Sequence, residues 1–183
     1  MEKHGVLFYD SDRTFTDSIV EFGVRALQPG DPLVLVATSE HMTAIRAGLK
    51  KRGFDWEEIR ERAGCAFYDA HDTLRQFMVA GMPDADRFRK TMENVLAPWE
   101  GMGGRWTVRA FGEMVDVLFR DGRAEAALIV EALWNDLARS HRFTLLCAYS
   151  MGNFYREVNG AAYKSVCGLH DHFVPSADHP AEA

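Results

Sequence analysis

The chain has 183 residues, of which 47% are hydrophobic and 26% charged, and its formal net charge is -6. That balance belongs to one folded globular domain and excludes a disordered or fibrous chain. An acidic chain without a basic block repels phosphate backbones and anionic lipid, so no nucleic acid or membrane partner is expected.

Strand and helix patterns alternate almost from the first residue. Residues 5–9, closed by Asp10-Ser11-Asp12, are apolar at consecutive positions, which suits a strand covered on both faces. Asp12 is placed to cap a helix in which Phe15, Ile19, Phe22 and Ala26 share one stripe. Gln28-Pro29-Gly30-Asp31 is a turn, and residues 33–37 form a second buried strand. Thr38-Ser39 offers an N-cap to a helix carrying Met42, Ile45 and Leu49, which Lys50-Lys51-Arg52-Gly53 ends. Residues 54–63 predict a short surface helix and residues 65–69 a third strand.

Two helices are predicted over 71–80 and 84–97, then a glycine-rich loop over 101–104 and a strand over 105–111. Gly112-Glu113-Met114 opens a short helix through Phe119, broken by Asp121-Gly122. A long helix over 122–140 turns Ala126, Ile129 or Val130, Leu133 and Leu137 inward. A fifth strand covers 143–149, a helical stretch 153–166, and a polar tail follows from Pro175. The prediction is a single α/β domain over residues 1–175 with a tail over 176–183. Its sheet is mostly parallel, in three layers, with helices on both faces.

No apolar run approaches the ~20 residues that span a bilayer. Met1-Glu2-Lys3-His4 lacks the apolar stretch of a signal peptide. Cys65, Cys147 and Cys167 are odd in number and far apart, which predicts reduced thiols in a cytoplasmic protein.

Ligands of parallel sheets bind beyond the carboxyl ends of the strands, which directs attention to Tyr9, Thr38, His41, Glu113 and Tyr149. A phosphate-cradling loop needs glycines and a lysine. The segment after the second strand, Ala37-Thr38-Ser39-Glu40-His41-Met42-Thr43-Ala44, has neither. A Glu40 carboxylate about 4–5 Å from a phosphate would cost on the order of 3–4 kcal/mol per charge. ATP hydrolysis by this loop is therefore not expected.

Glu113 follows a strand directly, where it serves as a ligand contact, a helix cap or a partner for an arginine such as Arg109. Glu131 and Trp134 share a helix face at i, i+3, either as pocket wall and polar contact or as core aromatic beside a solvated acid. Cys147 alternates in phase with Tyr149. Cys167, His170 and His172 have the spacing of metal ligands, although a complete site needs further donors. No serine elbow, His-Glu-x-x-His or CxxC pattern occurs, so hydrolase and redox templates fail and no catalytic residue is assigned.

Several strings occur together and in order: His4-Gly5-Val6-Leu7-Phe8-Tyr9, Gly30-Asp31-Pro32-Leu33-Val34-Leu35-Val36-Ala37-Thr38 with His41, and Arg109-Ala110-Phe111-Gly112-Glu113-Met114. Glu131-Ala132-Leu133-Trp134-Asn135-Asp136-Leu137, Leu145-Leu146-Cys147-Ala148-Tyr149 and His170-Asp171-His172 complete the set. Over about residues 4–175 the chain resembles the MEDS family, the methanogen/methylotroph DcmR-like sensory domains. The resemblance implies a RecA/KaiC-like sandwich that has lost its phosphate loop, in a bacterial or archaeal protein. It also implies sensing of small organic molecules such as simple hydrocarbon derivatives. In that family the domain is commonly fused to a histidine kinase or DNA-binding output. Here a short tail follows, so the signal is expected to pass to a separate protein.

The expected function is a non-catalytic ligand sensor without a cofactor. Its pocket is expected to be lined by Tyr9, Thr38, His41, Glu113, Glu131, Trp134 and Tyr149, in a monomer or homodimer. The alternatives are a protein-interaction module of a two-component or sigma-factor circuit, or a metal-binding sensor using Cys167, His170 and His172.

Overall fold

The computed structural model describes residues 3–61, 64–99, 106–155 and 160–176. Among the described residues six strands make one sheet, parallel throughout: β1 (His4–Tyr9), β2 (Leu33–Ala37), β3 (Cys65–Asp69), β6 (Val108–Gly112), β7 (Phe143–Ser150) and β8 (His172–Val174), in the order β3-β2-β6-β7-β1-β8. Two-residue strands β4 (Met78–Val79) and β5 (Met82–Pro83) form a separate antiparallel hairpin.

The helices are α1 (Asp12–Leu27), α2 (Ser39–Lys51), α3 (Trp56–Glu61), α4 (Ala70–Phe77), α5 (Ala85–Leu96), α6 (Met114–Arg120), α7 (Ala124–Leu137) and α8 (Gly160–Leu169). Helices α1 to α3 cover one face, packed on Leu7, Leu35, Phe111 and Leu146. Helices α4 to α8 cover the other, packed on Val6, Val36, Cys147 and Tyr149. A strand covered on both faces has no side that must stay polar, and this explains the unbroken apolar runs of β1 and β2.

Local chemistry sets the element starts. Ser11, rather than Asp12, caps α1, its side chain accepting the Thr14 N–H, while Asp12 opens the first turn. Thr38, Asp69 and Asp84 cap α2, α4 and α5 in the same way. The helix predicted over 71–80 stops at Phe77, because Ala80 (φ 49°) and Gly81 (φ 88°) turn the chain back as the β4–β5 hairpin. Helix α7 is shorter than predicted; Ala126, Val130 and Leu137 turn inward as expected, joined by Ala127, Glu131 and Trp134, while Ile129 and Leu133 are only partly buried.

The sheet gains a sixth strand that the sequence reading lacked: β8 pairs with β1, Gly5 opposite His172 and Leu7 opposite Val174. Ser176, read as the start of the tail, is buried and donates to the Phe8 carbonyl at 3.1 Å. The glycine-rich loop over 101–104 lies outside the described residues.

Topology decides where a ligand can enter. The chain leaves β1 through α1 on the first face and reaches α8 on the second face after β7. It likewise leaves β2 through α2 and β6 through α6, on opposite faces. The carboxyl edge therefore opens into two crevices, between β1 and β7 and between β2 and β6.

Candidate functional site

Both crevices are filled by one polar network. The N–H of Glu113 is held by the Val36 carbonyl at 2.8 Å, which fixes the start of α6 beside the end of β2. From there the Glu113 side chain reaches the mouth of α2 instead of capping its own helix. Its Oε2 accepts the Thr38 N–H at 2.8 Å, and its Oε1 accepts from His41 Nδ1 at 2.8 Å and Arg120 Nη2 at 2.8 Å. A carboxylate only accepts, so Nδ1 carries the His41 proton on that side. His41 Nε2 lies 3.7 Å from Asp12 on α1.

One turn along α6, Asp116 occupies the second crevice. Its Oδ2 accepts from Tyr9 Oη at 3.0 Å and pairs with Arg120 Nε at 3.1 Å. Its Oδ1 accepts the Ser150 N–H at 2.9 Å and Asn153 Nδ2 at 2.7 Å. Glu113 and Asp116 are both 0% exposed, whereas the arginine side chain between them is 44% exposed.

Burial pushes the Asp116 carboxyl up, against the Ser150 N–H and Arg120, which favour its charge. Burial, then Asp116, raise the Tyr9 phenol far above its ordinary range, so it stays a donor. For His41, burial opposes the charge, but the hydrogen bond and charge of Glu113, with Asp12, outweigh it and raise the imidazole.

A second polar cluster lies within the α7–α8 layer. Tyr149 Oη donates to Glu131 Oε1 at 2.5 Å, and Cys147 Sγ lies 3.4 Å from Oε2. His4 Nε2 stands 3.1 Å from the same Oε2, and His170 Nε2 stands 3.3 Å from Oε1. Burial alone would raise the Glu131 carboxyl, yet His170 and His4 hold it below the usual carboxylate range. Burial, then the Glu131 charge, push the Cys147 thiol well up.

The residues expected to line one pocket thus divide. Tyr9, Thr38, His41 and Glu113 meet at the carboxyl edge, while Glu131 and Tyr149 belong to the second cluster. Trp134 faces neither: it packs edge-on to Phe88 at 5.2 Å and against Phe143 at 5.7 Å. Of the three residues with metal-ligand spacing, His170 reaches the second cluster. Cys167 sits partly buried on α8, and His172 packs over Gly5 in β8.

Asp116, Arg120, His4 and Cys147 were not among the expected site residues. The signal for Asp116 was a lone acid inside Met114-Val115-Asp116-Val117-Leu118-Phe119, a helix buried all round. For His4 it was an imidazole at the head of a buried strand. A groove of about 980 Å³ lies apart from both clusters, between α1 and β8, with Phe22, Leu146, Val174 and Ser176 in its lining.

A parallel sheet in this strand order with helices on both faces is a RecA/KaiC-like α/β fold. The solved structures agree. An uncharacterized protein, PH0321, from Pyrococcus horikoshii, in complex with an unknown peptide, superposes with a TM-score of 0.68 at 12% identity, covering 94% of this chain and 76% of that one. A KaiC-like protein, PH0186, from Pyrococcus horikoshii OT3 gives 0.54 at 15% identity, over 81% of this chain and 62% of that one. No curated protein matches the chain. The MEDS family, the methanogen/methylotroph, DcmR sensory domain, matches residues 3–170, and the chain belongs to that family. Among the described residues no helix is long and apolar enough to cross a membrane.

Proposed function

We propose that this domain is a non-catalytic sensor that reads a small organic molecule at the carboxyl edge of its sheet and passes the signal to a histidine kinase or transcription regulator. Membership of a sensory family supports the role. The observation that carries the site is that two fully buried carboxylates, Glu113 and Asp116, share the half-exposed Arg120 across both crevices.

A small ligand gains little from area, about 0.8 kcal/mol per buried CH₂, so polar exchange must set its affinity. Arg120 is the member of that trio within reach of solvent. A carbonyl, carboxylate or hydroxyl arriving beside it replaces one of its two carboxylate partners and loosens α6 from β2. That displacement is the signal. The carboxylates are spent on donors of the chain itself, an arrangement suited to recognition rather than turnover.

The same geometry supports the loss of a triphosphate cradle at the Thr38 turn. The N–H that would meet a phosphate already donates to Glu113. A phosphate about 4 Å from that carboxylate would be repelled by roughly 4 kcal/mol at an effective dielectric near 20. Free, widely spaced cysteines support a reducing, cytoplasmic setting.

The test is a calorimetric and thermal-melting screen with small alcohols, aldehydes, carboxylic acids and halocarbons. A binder in one of these classes is expected, with its binding lost in Arg120→Gln. No binder, or binding unchanged in that variant, overturns the proposal.

A second role, as a protein-interaction module, is favoured by the groove between α1 and β8, where Phe22 and Val174 offer apolar contacts. It predicts that Phe22→Asp abolishes capture of a purified partner kinase and leaves small-molecule binding intact.

A further inference from the structure

Outside the carboxyl edge, four donor atoms from four separate parts of the chain converge: Nε2 of His4 in β1, a carboxylate oxygen of Glu131 in α7, Sγ of Cys147 in β7 and Nε2 of His170 after α8. They all lie within 4.8 Å of one another. The side chains of Glu131 and His170 are 0% exposed, that of His4 3%, and Cys147 is fully buried. We propose that these four residues form a closed binding site for a divalent transition metal of the zinc class.

The spacing fits. Metal bonds of ~2.0–2.3 Å at tetrahedral angles set donor–donor edges of roughly 3.3–3.6 Å. His4 Nε2 to Glu131 Oε2 is 3.1 Å, His4 Nε2 to Cys147 Sγ 3.4 Å, and Cys147 Sγ to Glu131 Oε2 3.4 Å. Those three contacts trace one face of a tetrahedron, and the His170 donor lies within 4.8 Å of all three atoms.

Both imidazoles are turned the right way. The Asn135 amide donates through Nδ2 to the Leu169 carbonyl at 2.9 Å, so its Oδ1 is left to accept from His4 Nδ1 at 2.9 Å. The Val166 carbonyl accepts from His170 Nδ1 at 2.7 Å. Each ring is therefore anchored through Nδ1 as a donor and points Nε2 inward, which is how backbone and amide acceptors orient histidine ligands. The protons that Nε2 of each ring and Cys147 share with Glu131 in the metal-free chain would leave to solvent as the ion binds. His170 Nε2 is buried, and beyond the ion pair with Glu131 Oε1 at 3.3 Å it makes no hydrogen bond. Tyr149 Oη holds the other oxygen of Glu131 at 2.5 Å and so fixes the carboxylate's rotation.

Charge and donor type point the same way. One thiolate, one carboxylate and two neutral imidazoles neutralise a divalent ion, which makes its burial affordable. Mixed nitrogen, sulfur and oxygen donors in a four-coordinate, water-free setting suit zinc better than magnesium or calcium, which require oxygen shells. With four protein donors no position is left for substrate. The ion would tie the α8–β8 segment to β1, α7 and β7, so its presence sets whether that segment is docked.

Cobalt(II) is the probe. The full-length chain, stripped with chelator and still folded by circular dichroism, is titrated with Co²⁺ and then Zn²⁺. One equivalent is expected to give intense tetrahedral visible bands and a near-ultraviolet thiolate-to-cobalt band, both erased by zinc. Cys147→Ser should lose the near-ultraviolet band, His170→Gln should weaken cobalt on the order of tenfold or more, and Cys167→Ser should change neither. Absence of saturable uptake by the folded wild type overturns the proposal. So does a thiolate band that survives in Cys147→Ser or disappears in Cys167→Ser. Should Cys147→Ser fail to fold, His170→Gln decides by its affinity.

Discussion

The carboxylate of Glu113 closes a helix that is not its own: it accepts the Thr38 N–H at 2.8 Å, at the start of α2 and 75 residues away in sequence. A negative group at that position satisfies an otherwise orphaned donor and faces the positive end of the helix dipole. One side chain thereby locks the β2–α2 turn to the β6–α6 turn.

Glu113→Gln is expected to lower stability by about 1.5–3 kcal/mol, the range for a lost hydrogen bond to a charged group. The solvent access of Arg120 keeps the loss below the ~3–5 kcal/mol of a fully enclosed pair. Urea denaturation should show a lower midpoint with an unchanged slope.

His41 should make stability depend on pH. The groups facing it are Glu113 and Arg120 from α6 and Asp12 from α1, and its folded pKa is raised. A raised value means that the folded state holds the proton more tightly than the unfolded chain, whose imidazole titrates near ~6.5. The contribution is then complete below about pH 6.5 and fades as pH climbs through the folded value. The stability difference between wild type and His41→Gln, measured by denaturant at several pH values, should be largest near pH 5.5 and shrink toward pH 9. A difference that grows with pH would contradict the assignment.

Much of this was legible in the sequence, for a physical reason. Residues of β2 touch apolar layers on both faces, so Leu33 to Ala37 read as one buried run without knowledge of their neighbours. Glu113 announced itself by following a strand directly. Glu131 did not: within α7 it looks like a solvated acid, and its burial depends on His4, Cys147 and His170, which tertiary folding alone brings together. Strand β8 was missed because three residues at a sheet edge, with Phe173 half exposed, carry too short a pattern to separate from a loop.

Tyr149→Phe removes one hydroxyl and leaves the ring packing on Phe8, Phe119 and Phe154 in place. What is lost is the 2.5 Å bond to the fully buried Glu131 carboxylate. A loss of about 1.5–3 kcal/mol is expected, as for hydrogen bonds to charged groups. The measurement is equilibrium urea unfolding. A change under about 0.5 kcal/mol, the scale of a surface substitution, would mean that Glu131 finds another donor when the hydroxyl is gone.

Gly48 sits where α2 crosses α1, and a Cβ built there would stand 2.4 Å from Val20 Cγ2. Helix propensity alone favours alanine over glycine by about 1 kcal/mol, so a freely exposed position would be stabilised by Gly48→Ala. Here the obstructing atom belongs to a β-branched side chain with one strongly preferred rotamer in a helix. Val20 is itself 5% exposed against the first-face core, so it has little room to turn away. The two helices must move apart or Val20 must leave its well, and overpacking of that kind costs about 1–3 kcal/mol. The steric term should win, leaving Gly48→Ala less stable than wild type, with a lower melting temperature. Val20→Ala in the same chain should recover part of the loss by making room for the new methyl group.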